Sequence, residues 1–105
     1  MVKKPDLTEI KFFIQTFMHE KGIHDPLIAV FGSLTGNSFT SESDIDLIIV
    51  SDEFEGKTIF ERAEMTRGLD LGLIKKFCFP FDILLESKKE YQYMREKKML
   101  DSIPL

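Results

Sequence analysis

Cysteine, tryptophan and long apolar runs are scarce in this chain of 105 residues. It has one cysteine, Cys78, no tryptophan and four prolines. A single cysteine excludes an intramolecular disulfide and any metal site built from several thiolates. No apolar run approaches the roughly 20 residues of a transmembrane helix. The segment from Met1 to Pro5 also lacks the apolar core of a secretory signal. We therefore expect a cytoplasmic protein that does not associate with membranes.

Basic charge is also in short supply, since the net charge is -4 at pH 7. Proteins that bind nucleic acid stably need a basic surface that displaces counterions from phosphates, so no stable nucleic-acid partner is expected. Hydrophobic residues make up 43% of the chain and include ten phenylalanines. This composition and length predict one globular domain over residues 1–105. They leave the oligomeric state open, a homo-oligomer included.

Hydrophobic periodicity predicts alternating helices and strands. Apolar residues three and four apart predict a first helix over 8–21, and short apolar runs predict strands over 27–31, 46–50 and 81–85. The segment 58–77 has helical character that Gly68 and Gly72 are expected to break or bend. Ser87 and Glu90 form the pattern of a capping box for a last helix. This order predicts an α/β or α+β fold, with a small mixed sheet of three or four strands and helices packed mainly on one side.

Three aspartates stand at the predicted strands. Asp44 and Asp46 are two residues apart at the start of the second strand, so both carboxylates should point to one face and could converge on a divalent cation. Asp82 interrupts the apolar third strand, where a buried carboxylate would need a positive partner such as a shared metal. Each also has an ordinary explanation, because turns and edge strands carry aspartates that face water.

Gly32 and Ser33 directly follow the first strand. A glycine lets backbone N–H groups approach a phosphate closely, and a serine hydroxyl adds a further donor. A lone Gly-Ser pair is more often an ordinary turn. The informative feature is the combination of a strand, Gly-Ser, ten residues, Asp-x-Asp opening a second strand, and an aspartate within a third.

This spaced pattern, Phe31-Gly32-Ser33 followed by Asp44-Ile45-Asp46, resembles the signature of the polymerase-beta-like nucleotidyltransferase superfamily, in its minimal nucleotidyltransferase branch. The resemblance runs from the first strand to Leu85. It implies that Gly32 and Ser33 bind the triphosphate of an NTP. It also implies that Asp44, Asp46 and Asp82 are the catalytic, metal-binding carboxylates for two Mg²⁺ ions, with Mn²⁺ as an alternative.

The implied activity is metal-dependent transfer of a nucleoside monophosphate, AMP from ATP, to an acceptor hydroxyl. Resemblance to the minimal branch further implies a helical HEPN-type partner protein, with the pair acting as toxin and antitoxin. One departure is that residues 34–37 are Leu, Thr, Gly and Asn, where many minimal members carry arginines shortly after Gly-Ser. The alternative is therefore an inactive binding module that neutralises its partner by contact. Arg62, Arg67, Lys75 or Lys76 could instead supply the missing cation.

Overall fold

The computed structural model describes residues 5–32, 44–98 and 101–105. These residues contain four α-helices, which are α1 (Leu7–Glu20), α2 (Ile59–Met65), α3 (Leu69–Phe77) and α4 (Lys88–Glu96). They also contain four strands, which are β1 (Leu27–Phe31), β2 (Ile45–Val50), β3 (Phe81–Glu86) and β4 (Ser102–Pro104). A short 3₁₀ turn, Asp52–Phe54, follows β2. None of the described helices is long and apolar enough to cross a membrane.

The four strands form one mixed sheet in the order β3-β2-β1-β4. Strands β2 and β3 are parallel, whereas β1 pairs antiparallel with both β2 and β4. The predicted mixed α/β architecture is confirmed. β4, for which the sequence analysis placed no segment, completes the sheet beside β1.

The side chains of each strand alternate between the two faces of the sheet, so both faces carry apolar residues. The two faces are covered unequally. Ile45, Leu47 and Ile49 of β2 pack in the larger core cluster with Ile10 and Ile14 of α1, and α3 adds Leu69 and Leu73. The opposite face carries a smaller cluster in which Tyr91 of α4 packs against Ala29, Ile48 and Val50. β2 is therefore buried from both sides, as its β-branched composition predicts.

The helix ends follow from local chemistry. Asp6 caps α1 by accepting from the N–H groups of Thr8 and Glu9. The predicted capping box of α4 is confirmed, since Glu90 N–H donates to Ser87 Oγ at 3.2 Å and Ser87 N–H donates to Glu90 Oε1 at 2.7 Å. The last helix accordingly starts where the sequence places it.

The two glycines of the segment 58–77 behave differently. Gly68 has φ +92° and separates α2 from α3, as predicted. The expected break at Gly72 is wrong, because α3 continues through it and the Gly72 N–H donates to Gly68 O at 3.0 Å. A Cβ at Gly72 would lie 3.1 Å from Cζ of Phe13. Gly72 therefore serves the close packing of α3 on α1.

Candidate functional site

Two of the three predicted carboxylates are neighbours across the sheet. Asp46 of β2 is the register partner of Asp82 of β3. Both residues alternate with core residues that face α1 and α3, so their side chains lie on the opposite face of the sheet. Asp46 is half-buried and Asp82 is exposed. The parallel pairing of β2 and β3 thus places these two carboxylates side by side.

Asp44 joins this group from the residue just before β2, where it is exposed. The pKa of Asp46 is raised above its ordinary value, first by burial and then by the negative charges of Asp82 and Asp44. A like charge raises the pKa of a neighbouring carboxyl only when it lies close enough to repel the ionised form. The three aspartates therefore form one electrostatic cluster, which a cation would stabilise.

Gly32 lies against this cluster at the end of β1. Phe31 is the register partner of Asp46, and Gly32 has φ +72°. A Cβ built on Gly32 would overlap Oδ2 of Asp46 and lie 3.1 Å from its Cγ. Only glycine brings the backbone this close to the carboxylate. The prediction for Ser33 falls on a residue outside the described ranges, so its phosphate-binding role stays a prediction.

The donor set fits a hard divalent cation. Three carboxylates supply the oxygen ligands that Mg²⁺ prefers, and such sites commonly use one or two carboxylates together with substrate phosphates and water. Within the described ranges, no group of three or more histidine, cysteine, aspartate or glutamate side chains is already placed to hold a metal ion, and this includes the three aspartates. The arrangement is an acidic face beside Gly32.

The basic residues that could replace the missing arginines have different surroundings. Arg62 is buried, and its Nη1 lies 2.7 Å from Oε1 of Glu90 while donating to Leu85 O at 2.9 Å. It is therefore engaged inside the fold and not available to a phosphate. Lys76 lies at a groove beside α1, among residues that include none of the aspartates. Arg67 is exposed and reaches the neighbourhood of Asp82.

A cleft next to Asp82 was missed by the sequence analysis. It has a volume of about 390 Å³ and lies between the α2–α3 turn and β3, and Asp82, Thr66 and Arg67 are among its lining residues. Gly68, recognised in the sequence only as a helix break, lies at the turn that forms its outer wall. A larger apolar groove beside α1 contains none of the three aspartates. Because the candidate carboxylates lie beside the cleft and not beside the groove, we place the candidate site at the cleft next to Asp82.

Comparisons with known proteins agree with the fold. A family model described as a nucleotidyltransferase domain matches residues 13–103. A crystal structure of a candidate nucleotidyltransferase shares 26% sequence identity over 94% of this chain and 96% of its own, with a TM-score of 0.56. The structure of another candidate nucleotidyltransferase, from Sulfolobus solfataricus, is 17% identical over 99% of this chain and 89% of its own. Its TM-score of 0.57 supports the shared fold. A search of curated proteins found no match.

Proposed function

This chain belongs to the nucleotidyltransferase domain family, and from that membership we propose that it transfers AMP from ATP to an acceptor hydroxyl in a Mg²⁺-dependent reaction. Membership of the minimal branch, the choice of ATP and a cytoplasmic location are parts of this proposal. The acidic face formed by Asp44, Asp46 and Asp82 is proposed to hold the metal ions, with Mn²⁺ as an alternative.

The observation that carries the proposal is the contact between Gly32 and Asp46. A phosphate bound to the backbone at Gly32 would lie next to a carboxylate whose pKa is raised by burial and by two like charges. Such a carboxylate gains most from a nearby cation. One short stretch of β1 and β2 thus combines a place for the triphosphate with ligands for the metal that neutralises it.

The proposed roles belong to residues on three adjacent strands of the sheet. Gly32 ends β1, Asp46 lies on β2 and Asp82 lies on β3, in that spatial order. When bound, two divalent ions in such a site stabilise the attacking and leaving oxygens of an in-line displacement. Gly32 and Ser33 would bind the triphosphate, and Asp44 and Asp46 would orient it through the metal ligation. Asp82 would accept the proton of the acceptor hydroxyl, which attacks the α-phosphorus as pyrophosphate leaves.

The proposed partner is a helical HEPN-type protein that this chain neutralises. Support for a partner comes from apolar side chains that α2 exposes, Ile59 at 74% and Phe60 at 79%. The second candidate function is neutralisation by contact alone. It is favoured by the absence of arginine and lysine from residues 34–43 and by the engagement of Arg62 with Glu90.

Titration of the protein with ATP, with and without Mg²⁺, tests the enzymatic proposal. We expect Mg²⁺-dependent binding in the wild type and a loss of at least tenfold in Asp46→Asn, which removes the central carboxylate charge. The matched control is Asp25→Asn, because Asp25 lies before β1, at the opposite end of that strand from Gly32. Asp25→Asn should bind ATP like the wild type.

Unfolding cannot explain the expected loss in Asp46→Asn. A raised pKa in the folded state means that ionised Asp46 opposes folding at neutral pH, so the neutral amide should maintain or increase the melting temperature. A variant that is as stable as the wild type and still binds Mg²⁺-ATP with wild-type affinity would contradict the proposed role of Asp46.

Coexpression with the partner separates catalysis from contact. If nucleotide transfer neutralises the partner, Asp46→Asn should still form the complex but lose protection. Full protection by this variant would favour the contact-only function.

A further inference from the structure

Among the described strands, β3 lies at one edge of the sheet and has a defined outward side. Ile45 N–H donates to Pro80 O at 2.8 Å, and Ser51 N–H donates to Glu86 O at 3.0 Å. In a parallel pair, this pattern means that the main-chain N–H and C=O groups of the even-numbered residues of β3 point toward β2. The main-chain N–H and C=O groups of its odd-numbered residues, Phe81, Ile83 and Leu85, therefore point away from the sheet.

These outward groups have different partners. Leu85 O accepts a hydrogen bond from Nη1 of Arg62 on α2, which closes this end of the edge. Within the described ranges, the outward main-chain groups of Phe81 and Ile83 have no hydrogen-bond partner. Both residues line the 390 Å³ cleft that also contains Asp82. The open part of the edge thus coincides with the cleft.

The geometry points to a specific occupant. We propose that the cleft binds an extended polypeptide segment of the acceptor, which pairs as an extra strand with Phe81 and Ile83 and presents a hydroxyl side chain to Asp82. In paired strands, directly opposite residues share a face of the sheet with Cβ atoms about 4.5–5.5 Å apart. The acceptor residue opposite Asp82 therefore has its side chain beside the Asp82 carboxylate.

The charge of the cleft favours a polypeptide over a nucleic acid. Among the described residues that line it, Arg67 is the only cation, whereas Asp70 and Asp82 contribute two negative charges. A phosphate backbone would meet net repulsion there, since polyanion binding depends on several basic contacts. Amide groups of a peptide carry no charge and complement the free N–H and C=O groups of the edge.

The reaction at this site needs only ATP and the acceptor hydroxyl as reactants, and the inference rests on the proposed nucleotidyltransferase function. The acceptor hydroxyl oxygen forms a bond to the α-phosphorus of ATP as the bond from that phosphorus to the β-phosphate oxygen breaks. Pyrophosphate leaves, and the hydroxyl proton passes to the Asp82 carboxylate. The triphosphate enters from the Gly32 side and the acceptor from the β3 edge, so the two substrates approach from opposite sides of Asp46.

The test offers wild-type protein Mg²⁺-ATP together with pools of nine-residue peptides that carry one central serine, threonine or tyrosine. Mass spectrometry identifies the peptides that gain AMP, and these are resynthesised with one backbone N-methyl group at each position in turn. Only alternate N–H groups of a paired strand face β3. Transfer should therefore fall at least tenfold at alternate positions near the hydroxyl, and equal effects at every position would overturn the pairing.

A pair of variants tests the same edge from the protein side. Ile83→Pro removes one outward N–H and leaves the bonds to β2 in place, a change that edge strands accommodate. Ile83→Ala is its matched control, because both variants lose the isoleucine side chain and only one loses the N–H. With equal melting temperatures, Ile83→Pro should transfer AMP to the peptides at least tenfold more slowly, and equal rates would refute the inference.

Failure of this inference differs from failure of the proposed function. A wild type that binds Mg²⁺-ATP but modifies no peptide, or modifies only the 3′-hydroxyl of a short RNA, overturns the strand pairing and leaves the nucleotidyltransferase proposal intact. A wild type that does not bind Mg²⁺-ATP overturns the proposed function. In that case, binding of the peptide pools to the protein without nucleotide tests the strand pairing separately. If the protein retains no peptide, the strand pairing is also overturned.

Discussion

Gly32 combines two demands that only glycine meets at once. Its φ of +72° lies in the left-handed region, where a side chain costs about 1–2 kcal/mol. Its missing Cβ also leaves room for the Asp46 carboxylate, which occupies the position that a methyl group would take. The first demand concerns stability and the second concerns the site, so suitable variants can separate them.

Gly32→Ala should therefore lose both stability and ATP binding. Gly56→Ala is the matched control, because Gly56 has φ +75° and nothing within 4 Å of an added Cβ. We expect Gly56→Ala to lose about 1–2 kcal/mol of stability and bind Mg²⁺-ATP normally. Gly32→Ala should lose at least as much stability and bind ATP at least tenfold more weakly, by calorimetry. Equal ATP binding by the two variants would show that the contact with Asp46 does not shape the site.

Among the helices, α4 shows how one capping box can connect three elements. Glu90 accepts from the Ser87 N–H at the start of α4 and pairs with Arg62 of α2. Arg62 in turn binds Leu85 O on β3, which closes the far end of the edge beside the cleft. Burial opposes ionisation of Glu90, but the hydrogen bonds from Ser87 and Arg62 outweigh it and lower the pKa of Glu90.

This lowered pKa makes stability depend on pH in a defined direction. The unfolded state binds a proton more readily, so ionised Glu90 stabilises the fold above its ordinary pKa of 4.5. That contribution is lost as the pH falls through the lowered folded-state value. Glu90→Gln should cost about 1 kcal/mol at pH 7, and the deficit should shrink on acidification below pH 4.5, measured by urea denaturation.

The control for this prediction is Glu64→Gln, which removes an exposed carboxylate whose ion-pair partner is Arg67, at 3.5 Å. A deficit of Glu90→Gln that stays constant with pH would contradict the proposed contribution of the ionised Glu90.

Across the whole molecule, β2 is the element on which both core clusters and the carboxylate site depend. Its Leu47 is fully buried in the larger cluster, whereas Ile48 is buried in the smaller one on the other face. Asp46 lies between Ile45 and Leu47 on the same strand. Core packing therefore fixes the strand that carries the central carboxylate.

Leu47→Ala should accordingly cost about 2–5 kcal/mol, a large part of the 5–15 kcal/mol typical of a small domain. Leu71→Ala is the matched control, since Leu71 of α3 is 57% exposed, and it should change stability by about 0.5 kcal/mol or less. Chemical denaturation measures both variants. Similar losses in the two would show that Leu47 does not pack in the core.

Local pattern was sufficient for most of the fold. The apolar run Leu27–Phe31 matches β1, and the helical spacing of Leu7, Ile10, Ile14 and Phe17 matches α1. The Gly72 prediction failed because a glycine within a helix reads as a break unless its neighbour is known, and that neighbour is Phe13 of another helix. β4 has three residues, too few to give a periodic signal.

The sequence by itself determined the α/β alternation, the family resemblance and the shared face of Asp44 and Asp46, because spacing along one strand sets the direction of its side chains. Only the tertiary structure decided that Asp82 lies beside Asp46, that Arg62 is engaged with Glu90 and that the open edge of β3 lines a cleft. These facts depend on strand register and helix packing between distant segments. No local pattern specifies them, since the partners are chosen by the packing of the whole chain.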